Sequence, residues 1–103
     1  MKFERTRAFD GDWRRLSEGE RQMFKDWVYE TFHPACERRR GDPSLPWPRA
    51  TRVRPVAGAS GILEATWSFT GPDGRATFEW VTVEGGPRIR WRRVGGHEIF
   101  RNP

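Results

Sequence analysis

The sequence predicts an α+β domain, with N-terminal helices packed on a curved antiparallel β-sheet of about four strands. Three observations carry this reading. Apolar residues recur at helical spacing over residues 10–39, a proline-rich break follows at 40–50, and beyond residue 51 apolar and polar residues alternate with period two. At 103 residues the chain is expected to be one domain, 1–103, without room for a second.

The helical half is justified first. Trp13, Leu16, Met23 and Trp27, with Phe24, Val28 and Phe32, make one apolar stripe. Ser17 followed by Glu20 has the form of a capping box, so a short helix or turn near 10–15 should precede a main helix over 18–32. Pro34 should end or kink that helix, since proline lacks the N–H and disfavours helix at His33. Arg21, Lys25 and Glu30 form its polar face. Residues 40–50, with Pro43, Pro46 and Pro48, read as a connecting loop.

Strands are expected at 51–56, 61–69, 75–83 and 88–94, with turns at 58–61, at Gly71-Pro72-Asp73-Gly74 and at Gly85-Gly86-Pro87. Leu63, Ala65, Trp67 and Phe69, then Ala76, Phe78 and Trp80, then Ile89 and Trp91 share the face that should meet the helical stripe. The chain is 35% hydrophobic yet holds seven Phe, six Trp and one Tyr, so large rings must build the core. Arg52, Arg54, Glu64, Arg75, Arg90 and Arg92 fall on the other sheet face.

Charge narrows the function. Lys and Arg number 19 against 14 Asp and Glu, a net +5, and lysine occurs only as Lys2 and Lys25. Arginine has a planar fork suited to phosphate. No run approaches the ~20 apolar residues of a membrane helix. Met1-Lys2-Phe3-Glu4-Arg5 has no apolar leader core. The lone Cys36 can neither staple the fold nor build a cysteine metal site. A basic cytoplasmic protein with an anionic partner, no membrane and no cofactor is the expectation.

The arginine face has two readings. It holds a phosphate backbone, with Thr66, Thr77 and Ser68 adding hydrogen bonds, or it is a solvated face on which Glu64 and Glu79 pair with arginines. Arginines outnumber glutamates there, which favours the first reading. His97, after Gly95-Gly96, sits where the chain leaves the last strand; it is a proton-transfer group or a surface residue. His33 reads as a capping or surface group, Cys36 as a buried thiol, Arg38-Arg39-Arg40 as a solvated helix end, and Trp47 as a core plug or an exposed stacking platform.

Four stretches carry a resemblance: Arg52-Val53-Arg54-Pro55-Val56, Gly61 to Trp67, Asp73 to Trp80, and Arg92 to Phe100. With the helical half they make the chain, over about residues 9–101, resemble the RelE/ParE superfamily of type II toxin–antitoxin toxins, and its RelE/HigB-like members in particular. The resemblance implies a metal-independent, ribosome-dependent mRNA endoribonuclease in which the ribose 2′-hydroxyl attacks the adjacent phosphate. It implies an antitoxin protein and ribosome-bound mRNA as partners. By the same resemblance Arg75 stabilises the phosphate, His97 transfers a proton, Glu64 acts as general base or orients Arg75, and Arg52, Arg54, Arg90, Arg92 and Phe100 bind RNA. Two departures stand out. Glu64 and Thr66 occupy second-strand positions where RelE-like members often have lysines, and Phe100 stands where several nucleases have tyrosine. They keep alternatives open: a ParE-like gyrase inhibitor without nuclease activity, or a catalytically degenerate antitoxin- or RNA-binding module.

Overall fold

A computed structural model describes residues 2–42, 44–68 and 73–103. Among them the chain runs β1 (Lys2–Arg5), α1 (Arg7–Arg15), α2 (Glu18–Trp27), a π-helical turn (Val28–Phe32) and α3 (His33–Gly41). A 3-10 turn (Arg49–Thr51), β2 (Arg54–Pro55), β3 (Leu63–Ser68), β4 (Gly74–Val83), β5 (Gly86–Gly95) and a last 3-10 turn (His97–Arg101) follow. The sheet order is β1-β5-β4-β3-β2.

This corrects the expected four antiparallel strands. The sheet has five and is mixed, because β1 pairs in parallel with β5 through Phe3↔Ile89 and Glu4↔Arg90. A strand, not a helix, therefore comes first. Four residues with one apolar side chain are too short to print a period, and the strand's partner lies at the other end of the chain. The other pairs are antiparallel. Register shifts at Thr66/Ser68 and at Thr77/Phe78 mark bulges, which add local twist. The expected strand 51–56 shrinks to Arg54–Pro55, since Thr51 closes a 3-10 turn and Arg52 has φ 47°. Phe69 and the Gly71-Pro72 part of the expected turn lie outside the described residues.

Helix ends are satisfied by named side chains. The Thr6 hydroxyl accepts from Phe9 N at 3.1 Å and donates to Arg92 O at 2.7 Å, which ties the start of α1 to β5. Ser17 and Glu20 form the reciprocal capping box at 3.1 and 2.8 Å. Arg21 turns back to donate to the Trp13 and Arg14 carbonyls, both at 3.0 Å, so it caps α1 instead of simply meeting water. Pro34 does not end the helix. The π turn lets His33 N–H reach Val28 O, and Pro34 then lies in the first turn of α3, where a missing N–H costs nothing.

The helical stripe packs on the sheet as expected, Met23 excepted, which is exposed. Phe32 is fully buried, with ring centroids of Trp91, Phe78, Trp27 and Trp47 at 4.9 to 5.6 Å. Each such ring removes roughly 150–250 Å² from water, so a few aromatics replace many aliphatics. Trp47 is the plug, stacked on Phe32 with 11° between planes.

Candidate nucleic-acid interface

Register builds the face opposite the helices. Arg54 pairs with Glu64, Glu64 with Thr77 and Thr77 with Arg93, which is one row across four strands. Thr66, Arg75 and Gly95 make the next row. On the other side Glu79, Arg90 and Glu4 make a third, alternating in sign. The fold thus brings Arg54, Glu64, Arg75, Arg90 and Arg92 to one sheet, whereas Arg52 is exposed just before β2 and belongs to no row.

Most of this charge is paired. Arg54 Nε lies 2.6 Å from Glu64 Oε1, and Arg90 Nε and Nη2 lie 3.3 Å from Glu4 Oε2. Arg92 Nη1 lies 2.5 Å from Glu79 Oε2, and Arg88 Nη1 lies 3.2 Å from Glu4 Oε1. The excess of arginine seen in the sequence is offset by Glu4, which no strand was expected to supply.

Arg75 is held differently. Its side chain is 13% exposed, donates to the Thr66 hydroxyl and lies 3.3 Å from Asp73 Oδ2. Its buried Nε has no acceptor among the described residues. Trp67 Nε1 donates to Arg75 O at 2.8 Å and so fixes the backbone beneath the guanidinium. Thr66 and Asp73, not Glu64, orient it.

The C-terminal segment crosses the same face. Pro103 O accepts from Arg92 Nε at 3.0 Å and from the Thr77 hydroxyl at 3.4 Å, and Asn102 O accepts from Arg93 Nη1 at 2.9 Å. Ile99 is buried behind Gly95. The face expected to be open is therefore partly covered, and Thr66, Ser68 and Thr77 are buried. His97 is exposed two residues beyond Gly95, the partner of Arg75, with its ring edge-on to Phe100 at 5.3 Å.

Two linked residues escaped sequence reasoning. Asp12, 5% exposed on α1, accepts from Arg93 Nε at 2.6 Å, Arg93 Nη2 at 3.0 Å, Val94 N at 3.1 Å and Arg15 Nη1 at 3.1 Å. Its carboxylate continues the edge of β5 where β1 has ended. The Asp12 hydrogen bond holds the Arg93 guanidinium above its ordinary pKa. Strict alternation from Ile89 and Trp91 places Arg93 in the core; the bulge hands that place to Val94. Burial pushes the Cys36 thiol up to about 12, as befits an inert side chain.

Among the described residues no set of three His, Cys, Asp or Glu side chains is placed to hold a metal ion, and no helix is long and apolar enough to cross a membrane. On the helical side a groove of about 850 Å³ between β1, α1 and α2 exposes core rings, including Phe3, Phe9 and Trp13. Its rim charges Arg5 and Asp10 pair at 3.3 Å.

A helical layer on one side of a twisted sheet, with the C-terminal turn folded over the other side, gives this chain a fold similar to that of a solved toxin structure. The YoeB/ParE toxin from Agrobacterium tumefaciens is a solved structure of this kind. It aligns over 94% of this chain and 99% of its own, with a TM-score of 0.60 and 12% sequence identity. No protein-family model matches the sequence, and no curated protein matches it. At that identity the likeness is one of fold.

Proposed function

We propose that the chain is the toxin of a type II toxin–antitoxin system and acts as a metal-independent, ribosome-dependent mRNA endoribonuclease in the cytoplasm. The carrying observation is the Thr66–Arg75–Gly95 row, with His97 beginning the turn just beyond it. In this reading the 2′-oxygen of a ribose attacks the adjacent phosphorus as its proton passes to a base. The O2′–P bond forms and the P–O5′ bond breaks, leaving a 2′,3′-cyclic phosphate and a 5′-hydroxyl. Arg75 stabilises the charge that builds on the phosphate oxygens, since its Nε has no acceptor among the described residues. His97 transfers the proton to the departing 5′-oxygen, and Glu64, beside Arg54, is the candidate base. Arg52, Arg54, Arg90, Arg92 and Phe100 position RNA, and the antitoxin covers the basic face with an acidic or apolar segment.

Expression without an antitoxin should halt growth, with new mRNA 5′ ends. Arg75→Ala and His97→Ala should each lower cleavage by about 10²-fold, as removal of a charge stabiliser or acid/base group does. Unchanged growth and intact ribosome-bound mRNA would overturn the reading. The pairing of Glu64 and Glu79 with arginines favours a second one, a gyrase inhibitor or a binding module without nuclease activity. Loss of supercoiling activity of gyrase with mRNA intact would select the inhibitor, and active gyrase with mRNA intact the binding module.

A further inference from the structure

The run Arg38-Arg39-Arg40 has no role in the sheet chemistry. It forms the last turn of α3, and none of the three makes a hydrogen bond or ion pair among the described residues. The nearby carboxylates are engaged elsewhere: Glu37 lies 3.4 Å from His33 Nε2, and Asp42 accepts from Ser44. Both feel the arginine charge without touching it.

Two further features accompany this charge. Arg39 stacks over Trp47 at 4.6 Å, and its buried Nε has no acceptor among the described residues. Between the end of α3 and the β4–β5 hairpin lies a cleft of about 360 Å³, lined by Arg39, Arg40, Trp80 and Pro87. That volume is in the range of small-ligand sites. Its walls are an indole and a pyrrolidine, its donors are guanidinium groups, and no carboxylate lines it.

We infer that this cleft binds one nucleotide unit of single-stranded RNA, with the base against Trp80 and the flanking phosphate on Arg39 and Arg40. The chemistry fits on both counts. Aromatic rings stack any base without sequence preference, and guanidinium forks take phosphate in two parallel hydrogen bonds. An acidic peptide would use the arginines but leave the apolar walls without a planar partner. The site lies on the helical side of the sheet, so it extends an RNA path around the β4–β5 hairpin and needs none of the cleavage chemistry.

The test is equilibrium binding of a short fluorescein-labelled 2′-O-methyl oligoribonucleotide, which offers no attacking 2′-hydroxyl and so reads binding whether or not the chain cleaves RNA. Arg40→Gln should weaken binding and lower the salt slope by about one. Trp80→Leu should weaken it roughly tenfold, while Trp80→Phe keeps most of the affinity. Wild-type affinity and slope in Arg40→Gln overturn the inference, as do equal losses in Trp80→Phe and Trp80→Leu when both are folded by circular dichroism. If Trp80→Leu does not fold, Arg40→Gln decides alone. Absence of binding at low salt, or displacement by polyglutamate as effective as by unlabelled RNA, also overturns it. Failure of the endoribonuclease reading shows separately, in mRNA ends.

Discussion

The sheet and the end of α3 both present arginines, but they present different fields. Arg54, Arg75, Arg88, Arg90, Arg92 and Arg93 each have a carboxylate within ion-pair distance, whereas Arg38, Arg39 and Arg40 have none among the described residues. Formal charge is counted along a chain, but charge available to a ligand is decided by register. Cross-strand pairing sets Glu79 and Glu4 on either side of Arg90, while the end of α3 sets no carboxylate of the described residues against its consecutive arginines. The sheet therefore offers geometry with little net attraction, and α3 offers attraction with a looser geometry.

This contrast can be broken, and the largest effect is expected at Asp12. Asp12→Ala leaves the Arg93 guanidinium with only the Asn102 carbonyl and the Val94 N–H without an acceptor, and should cost about 3–5 kcal/mol of stability, as loss of one partner of a buried pair does. Urea unfolding measures it, and a loss below about 1 kcal/mol would mean that Arg93 finds water instead. Glu79→Gln should turn the sheet toward the α3 condition. With Arg92 unpaired and Arg90 left to Glu4, oligonucleotide affinity should rise and the salt slope steepen by about one. An unchanged slope would place the phosphate path elsewhere. Arg54→Ala should change stability by less than about 1 kcal/mol, because Arg54 is 69% exposed and solvent screens the pair.

The smallest effect at neutral pH concerns Cys36. An unfolded thiol ionises near ~8.5, the folded one not until about 12. Its contribution to stability is thus complete below ~8.5 and is lost as pH rises from there toward about 12. At pH 8 a thiol reagent should modify only unfolded protein; rapid modification of the native chain would show that Cys36 is reached from solvent.

The sequence made the local signals plain. Ser17 and Glu20 announced a capping box, alternation marked β3 to β5, and the proline loop left Trp47 to fill the core. What stayed hidden was non-local. Lys2–Arg5 is a strand only because β5 offers it a parallel edge, and Asp12 matters only because that edge continues past Arg5. Arg93 was lost to a bulge, which breaks the period that finds strands. At Pro34 the local rule was sound, but the π turn met its requirement without ending the helix. Of the candidate site, the common face of Arg54, Glu64, Arg75, Arg90 and Arg92 was legible, since alternation decides it. The pairing of Glu64 and Glu79 with arginines was legible as one of two readings, but the share that Glu4 neutralises was not, because Glu4 comes from a strand the pattern could not mark.

Beside Arg75, a Cβ on Gly74 would lie 2.5 Å from the Trp67 ring. The indole therefore rests directly on the main chain there, and the same indole bonds the next carbonyl. Position 74 is closed to every side chain, alanine included, unless the ring moves and releases its grip on Arg75. A guanidinium anchored by its own peptide plane, not only by companions that water or ligand can displace, keeps its station whether or not a ligand lies against it.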